Sequence, residues 1–299
     1  MTSSETKRFD KLYKKFIQAL TLQGKSKATI AGYSKGVRRA AEYFDCCPDK
    51  RLTQEDLKGY FADLLKTHSW STIKLDRNGL QQYWEHALKR KWDWVKITKP
   101  PQIRNLPDIL TQKEVAKILV ATQKRRYAVF LYTVYSLGLR LSEGLFLKVG
   151  DIDGEMMRVH IRDGKGHKDR FVPLPLATYK ILRLFWATHR HPKFIFPSSH
   201  ATRPNSPMDK GTVQKAMKLA VTACNIHKVV SIHTLRRSYA THLMENGLNL
   251  RAVQALLGHE DLRTTALYCQ LTDTINQNTH QFINNLMDPI PFDVTNKED

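Results

Sequence analysis

The sequence predicts a mainly α protein with a small β-sheet, built as a helical N-terminal domain and a second, α+β domain. Three observations carry that expectation. Apolar residues recur at helical spacing through most of the first hundred positions. A proline-bearing span near position 100 breaks the pattern. The period then switches to two around residues 156–175 before helical spacing returns.

In "KATIAGYSKGVRRAAEYF" the residues Ile30, Tyr33, Val37, Ala41 and Phe44 form one apolar stripe, with Lys35, Arg38 and Arg39 between them. "TQEDLKGYFADLLK" opens on Thr53, a suitable N-cap followed by early acids. "WSTIKLDRNGLQQYWEHALKR" repeats the helical spacing and puts Lys74 and Arg77 on its polar side. These segments define a helical domain over residues 1–96. "ITKPPQIRNLPDI" holds three prolines and reads as an extended linker over 97–109. The second domain, 110–272, begins at "TQKEVAKILVAT", where Thr111 and Glu114 have capping-box spacing. "MMRVHIRDGKGHKDRFVPLP" alternates around Val159 and Ile161, turns at Gly164 and Gly166, and resumes at Phe171 and Val172. That is a β-hairpin, and "LKVGDIDG" can add a third strand. The chain after Pro204 reads as helical. The tail, 273–299, keeps Ile275, Phe282, Ile283 and Leu286 near one helical face.

The charge narrows the class of partner. The net charge is +20 and the isoelectric point about 9.8. Residues 1–100 carry 21 basic and 11 acidic groups and residues 101–270 carry 26 and 12, whereas the tail from 271 carries 1 and 5. Both bodies are basic, which suits a protein lying along a polyanion with both domains. No apolar run is long enough to span a bilayer, and "MTSSETKRFDKLYKKF" lacks the apolar stretch of a secretory signal. The four cysteines show no CxxC spacing, so neither a zinc site nor a disulfide framework is indicated, and a reducing cytoplasm is expected.

Several polar residues stand in apolar surroundings. Arg140, in "YSLGLRLSEGLFL", is flanked by leucines and needs a partner if buried; Glu143 is three residues away. His233 and Arg236, in "IHTLRRSYATHLMENG", share one face near the start of a helix, where an anion is well placed. Lys165 sits between two glycines at the hairpin tip. "LLGHEDLRTTALYCQL" gives a helix end, a glycine stop, His259 and then Tyr268. Each has an ordinary alternative: a structural Arg–Glu pair, a capping histidine with a solvated arginine, an exposed turn lysine, a core tyrosine. "GKGHK" lacks the phosphate-loop spacing, and no acidic cluster suits a catalytic magnesium.

Taken in order, Arg140, Lys165, His233-x-x-Arg236, His259 and Tyr268 resemble the signature of the tyrosine recombinases, which include phage integrases and Xer-type resolving enzymes. The motifs cover Leu110 to Leu271. The helical N-terminal region is similar to the family's core-binding domain in pattern, with Thr29 and Tyr33 at matching places. One departure is Arg237, where the family usually has a histidine; little effect is expected from it.

The resemblance implies site-specific DNA recombination through a 3′-phosphotyrosyl intermediate, without ATP and with no cofactor or metal. Tyr268 would be the nucleophile, His233 its proton partner, Arg140 and Arg236 the phosphate clamp, Lys165 the acid for the leaving 5′-oxygen and His259 a further donor. Glu143 would brace Arg140. Lys27, Tyr33, Lys74 and Arg77 would meet DNA. The resemblance further implies a homotetramer on two duplexes, a monomer or weak oligomer when free, and nucleoid association when DNA-bound; it also implies a tail helix docked on a neighbouring protomer, with a helix folded on its own domain as the alternative for the free protein.

Two other classes compete. "LRAVQALLGHEDLRTTALYCQL" also reads as helix–turn–helix, as in a DNA-binding regulator, which has no reason to gather Lys165, Arg140 and Arg236. A type IB topoisomerase shares the cleavage chemistry, but two domains and this chain length fit a recombinase better.

Overall fold

Side-chain caps start the first four helices. Thr2 and Glu5 form a capping box at α1 (Ser3–Leu22), and Thr53 and Asp56 form one at α3 (Gln54–Thr67). Ser26 caps α2 (Lys27–Tyr43) and Ser69 caps α4 (Trp70–His86), each accepting from the backbone N–H three residues on. The computed structural model describes residues 1–49, 52–92, 108–162, 169–200, 202, 204–258 and 273–290. The chain divides into two units, Met1–Asn105 and Leu106–Asp299.

The first unit packs its helices around an aromatic core that includes Phe16, Tyr60, Phe61, Tyr83 and Trp84. Glycines let α2 and α4 cross closely. A Cβ on Gly36 would lie 2.8 Å from the Asp76 Cα, and one on Gly79 would lie 2.8 Å from the Tyr33 carbonyl oxygen. Asp76 is buried at this crossing and takes an ion pair from Arg39. Lys27 and Lys74 are exposed and Tyr33 is half-buried. Arg77 is also half-buried, with Nη2 donating to Asn78 Oδ1 at 3.4 Å.

The second unit is organised by α6 (Arg125–Ser136), which is buried continuously from Ala128 to Ser136. Around it pack α5 (Gln112–Ala121), opened by the Thr111–Glu114 capping box, then α7 (Leu141–Leu145), α8 (Leu176–His189), α9 (Lys210–Ala223) and α10 (Ile232–Glu245). α11 (Leu250–Leu257) and α12 (Asp273–Met287) follow. The strands β1 (Ile152–Asp153), β2 (Arg158–Ile161) and β3 (Arg170–Pro173) form an antiparallel sheet in the order β1-β2-β3. Val159 pairs with Val172 and Ile161 with Arg170, so the expected strands form. The hairpin tip, with Gly164, Lys165 and Gly166, lies outside the described residues.

One expectation changes here. Residues 108 and 109, the end of the anticipated linker, are fastened to the second unit. Asp108 Oδ2 accepts from the Val229 N–H at 2.8 Å, and the Ile109 carbonyl accepts from Lys228 Nζ at 2.9 Å. The tail helix α12 packs in this single chain on its own unit, the alternative expected of the free protein. Its Ile283, Leu286 and Met287 are buried among α10, β3 and α8. Those apolar groups need cover, and α10, β3 and α8 supply it within one chain. The side chain of Ile275 lies outside the described residues.

Candidate active site

The site is built where two chain reversals meet. α6 ends at Gly138, whose φ of +58° is a conformation that favours glycine. A Cβ there would also lie 2.5 Å from the Tyr239 ring of α10. That reversal delivers Arg140 and Glu143 at the start of α7. α11 ends at Gly258, with φ +60°, and a Cβ there would meet the Arg170 side chain at 3.1 Å. Both glycines are thus required by backbone conformation and by close approach.

Glu143 is the hub, its side chain only 4% exposed. Its Oε1 accepts from Arg140 Nη1 at 2.6 Å and Arg170 Nη1 at 2.9 Å. Its Oε2 accepts from the Arg140 backbone N–H at 2.8 Å, Arg170 Nη2 at 2.8 Å and Arg236 Nη1 at 3.4 Å. Burial alone would raise its pKa. The hydrogen bonds and charge of Arg170, followed by the bonds from Arg140, overcome that and hold the carboxyl at about 2.

The same three arginines also reach the end of α11. Arg170 Nε donates to the Leu256 carbonyl at 2.8 Å, Arg236 Nη2 to the Leu257 carbonyl, and Arg140 Nη2 to the Gly258 carbonyl at 3.1 Å. These are carbonyls a helix C-terminus leaves without partners, at the negative end of its dipole, so cations there are doubly favoured. Arg236 is buried, which removes the reading of it as a solvated arginine. Its Nη1 also donates to the Gly138 carbonyl at 2.7 Å, while its Nε is buried with no acceptor among the described residues. Burial and the charge of Arg140 push its pKa down to about 9, so it remains a cation at neutral pH.

His233 lies on the exposed side of α10. The helix is opened by Ser231 with Thr234 rather than by this histidine, so His233 is not the cap. Partial desolvation, then the charges of Arg237, Arg236 and Arg140, hold its imidazole below the ordinary range. It is therefore neutral at pH 7 and able to accept a proton.

The structure thus brings together Arg140, Glu143 and Arg236, with His233 on the helix that carries Arg236. Lys165, His259 and Tyr268 lie outside the described residues. Lys27, Tyr33, Lys74 and Arg77 belong to the first unit. Arg170 escaped the sequence reading, although a signal existed. On β3 it shares the inward parity of Val172, opposite the exposed Phe171, and a charged residue on the inward face of a strand calls for a buried partner.

Among the described residues, three guanidiniums against one carboxylate leave two positive charges in excess, with a buried N–H of Arg236 that meets no acceptor there. Such a cluster is built to receive an oxyanion. Comparison with known proteins gives the class. Residues 108–274 match the model of the phage integrase family, and residues 12–94 match that of the phage integrase N-terminal SAM-like domain. A putative integrase/recombinase of Sinorhizobium fredii is 34% identical over 248 residues, covering 81% of this chain and 79% of that protein. Tyrosine recombinase XerA of Thermococcus onnurineus is 33% identical over 258 residues, covering 85% and 88%. The crystal structure of a lambda integrase tetramer bound to a Holliday junction shares the fold. Its TM-score is 0.67 at 19% identity, with 85% of this chain and 78% of that one covered. This chain belongs to the phage integrase family and is a site-specific DNA recombinase of the tyrosine class.

Proposed function

We propose that the arginine cluster around Glu143 is the phosphate site at which Tyr268 attacks one DNA strand, forming a 3′-phosphotyrosyl bond and releasing a 5′-hydroxyl. The observation that carries this reading is the convergence of Arg140 and Arg236 on one buried carboxylate beside Gly258, ten residues before Tyr268.

The charge fits the reaction. Attack of a phenolate on a phosphodiester gathers about two negative charges in the pentavalent transition state, and the cluster holds two uncompensated positive ones. Each charge-assisted hydrogen bond there is worth roughly 1.5–3 kcal/mol. An unperturbed tyrosine has a pKa of about 10 and needs a base at neutral pH. His233, neutral for the reasons above, serves as that base. Glu143 fixes the planes of the guanidiniums. Lys165 donates a proton to the departing 5′-oxygen, and His259 adds a donor to the same phosphate. The phosphotyrosyl bond conserves the energy of the broken ester, so attack by a second 5′-hydroxyl reseals DNA without ATP.

The first unit is the core-binding half, with Lys27, Tyr33, Lys74 and Arg77 directed to the duplex; the net charge of +20 supports contact along DNA. Pairwise strand exchange requires four nucleophiles, so the working form is a homotetramer on two duplexes, with α12 exchanging from its own unit to a neighbour. The solved lambda integrase tetramer on a Holliday junction supports that assembly by analogy of fold.

Trapping tests the site. A pool of nicked duplexes of randomised sequence, in which a short fragment bearing the new 5′-hydroxyl diffuses away, is incubated with the protein and then denatured. Wild type is expected to yield a covalent protein–DNA band. Tyr268→Phe is expected to yield none while still shifting the duplex in a native gel. An adduct formed by Tyr268→Phe would remove Tyr268 from its role.

A further inference from the structure

Arg170 joins the cluster with all three of its guanidinium nitrogens. It forms a two-pronged ion pair with Glu143, at 2.9 and 2.8 Å, and spends its third nitrogen on the Leu256 carbonyl at 2.8 Å. Every guanidinium nitrogen therefore has an acceptor within the chain, and its side chain is 11% exposed. Arg236 differs in having a buried Nε without an acceptor among the described residues. Arg170 is thus turned inward as a brace, while Arg236 keeps a donor in reserve.

The brace joins three segments that are distant in sequence: β3, the start of α7, and the end of α11. Gly258 gives it room, because a Cβ there would lie 3.1 Å from the Arg170 Cδ, tighter than an ordinary contact. Past Gly258 the chain leads directly to His259 and, nine residues later, to Tyr268. β3 in turn continues from the hairpin whose tip carries Lys165. One side chain therefore fixes Glu143, the departure point of the nucleophile segment, and the strand leading from the proposed acid.

We infer that Arg170 is a positioning residue for strand cleavage: through its fork on Glu143 and its bond to Leu256 it sets the geometry of Arg140 and Arg236 relative to the segment carrying Tyr268. This rests on the proposed role of that arginine pair. Arg170 does not touch the phosphate. Its loss is expected to slow the chemical step while leaving DNA affinity in place. Lysine keeps the charge but has no planar fork, so Arg170→Lys is expected to recover part of the lost rate.

The test uses the full chain and the duplexes that wild type captures covalently from the randomised nicked pool. Single-turnover adduct rates and dissociation constants are measured for wild type, Arg170→Lys and Arg170→Gln across a pH series. For Arg170→Gln the expected rate loss is on the order of 100-fold, the cost of a small misplacement in an active site. Its dissociation constant is expected to stay within about threefold of wild type, with Arg170→Lys between the two in rate. Cleavage by Arg170→Gln within about threefold of wild type would overturn the inference, since positioning losses of this kind are far larger. So would parallel loss of binding and cleavage in both variants. Failure of wild type itself to capture any duplex would instead strike at the underlying site assignment, and no variant is needed to see it.

Discussion

Arg237 is exposed where its neighbour Arg236 is buried, and its charge falls on His233. After partial desolvation it is the leading cause of the lowered imidazole pKa, ahead of Arg236 and Arg140. A departure from the family pattern that looked neutral in sequence thus bears on the proposed base. Arg237→Ala is expected to raise the His233 pKa toward 6.5, moving the acid limb of cleavage to higher pH, since the base is then protonated sooner. Imidazole NMR titration checks it, and an unmoved His233 would show that the Arg237 charge is screened. The sign for stability follows from the same shift. With its pKa lowered, folded His233 binds a proton less readily than the unfolded chain, so its contribution is present above about pH 6.5 and is lost as pH falls below that value. Glu143, held at about 2, contributes from neutral pH down to the ordinary glutamate range and loses that contribution as pH falls further toward 2. The Arg140–Glu143 pair was legible in sequence because three residues separate the partners. Arg170 was not, because its carboxylate lies 27 residues away and only the strand's parity hints at a buried end.

Among elements, helix starts were the most legible, since Thr53 and Thr111 announce them through local hydrogen bonds. The closeness of the α2–α4 crossing was not, because a glycine inside an amphipathic stripe does not say what approaches it. Gly36 and Gly79 carry that contact. Gly36→Ala or Gly79→Ala is expected to destabilise the first unit by about 1–3 kcal/mol, the usual cost of overpacking. Gly59 is the control: it lies in α3 with nothing within 4 Å of an added Cβ. Gly59→Ala is expected to stabilise by roughly 0.5–1 kcal/mol through helix propensity. Amide exchange of buried α2 and α4 residues reads all three variants locally. Equal protection in Gly36→Ala and wild type would mean that the crossing relaxes freely.

At the scale of the whole molecule, the +20 charge and the ordered motif residues pointed to the class before any geometry was considered. The tail helix shows what sequence leaves open: its apolar face demands cover but does not name the surface. In the single chain that cover is the unit's own α10, β3 and α8. The central claim is that one tyrosine becomes joined to the 3′ side of a broken strand. Mass spectrometry of the trapped adduct after digestion tests it most directly. Trypsin cuts after Arg263, so the account predicts a nucleotide mass on the peptide beginning at Thr264, localised to Tyr268, and a freed strand whose 5′-hydroxyl a polynucleotide kinase can label. A nucleotide on any other residue, or a released strand with a 5′-phosphate, would contradict it.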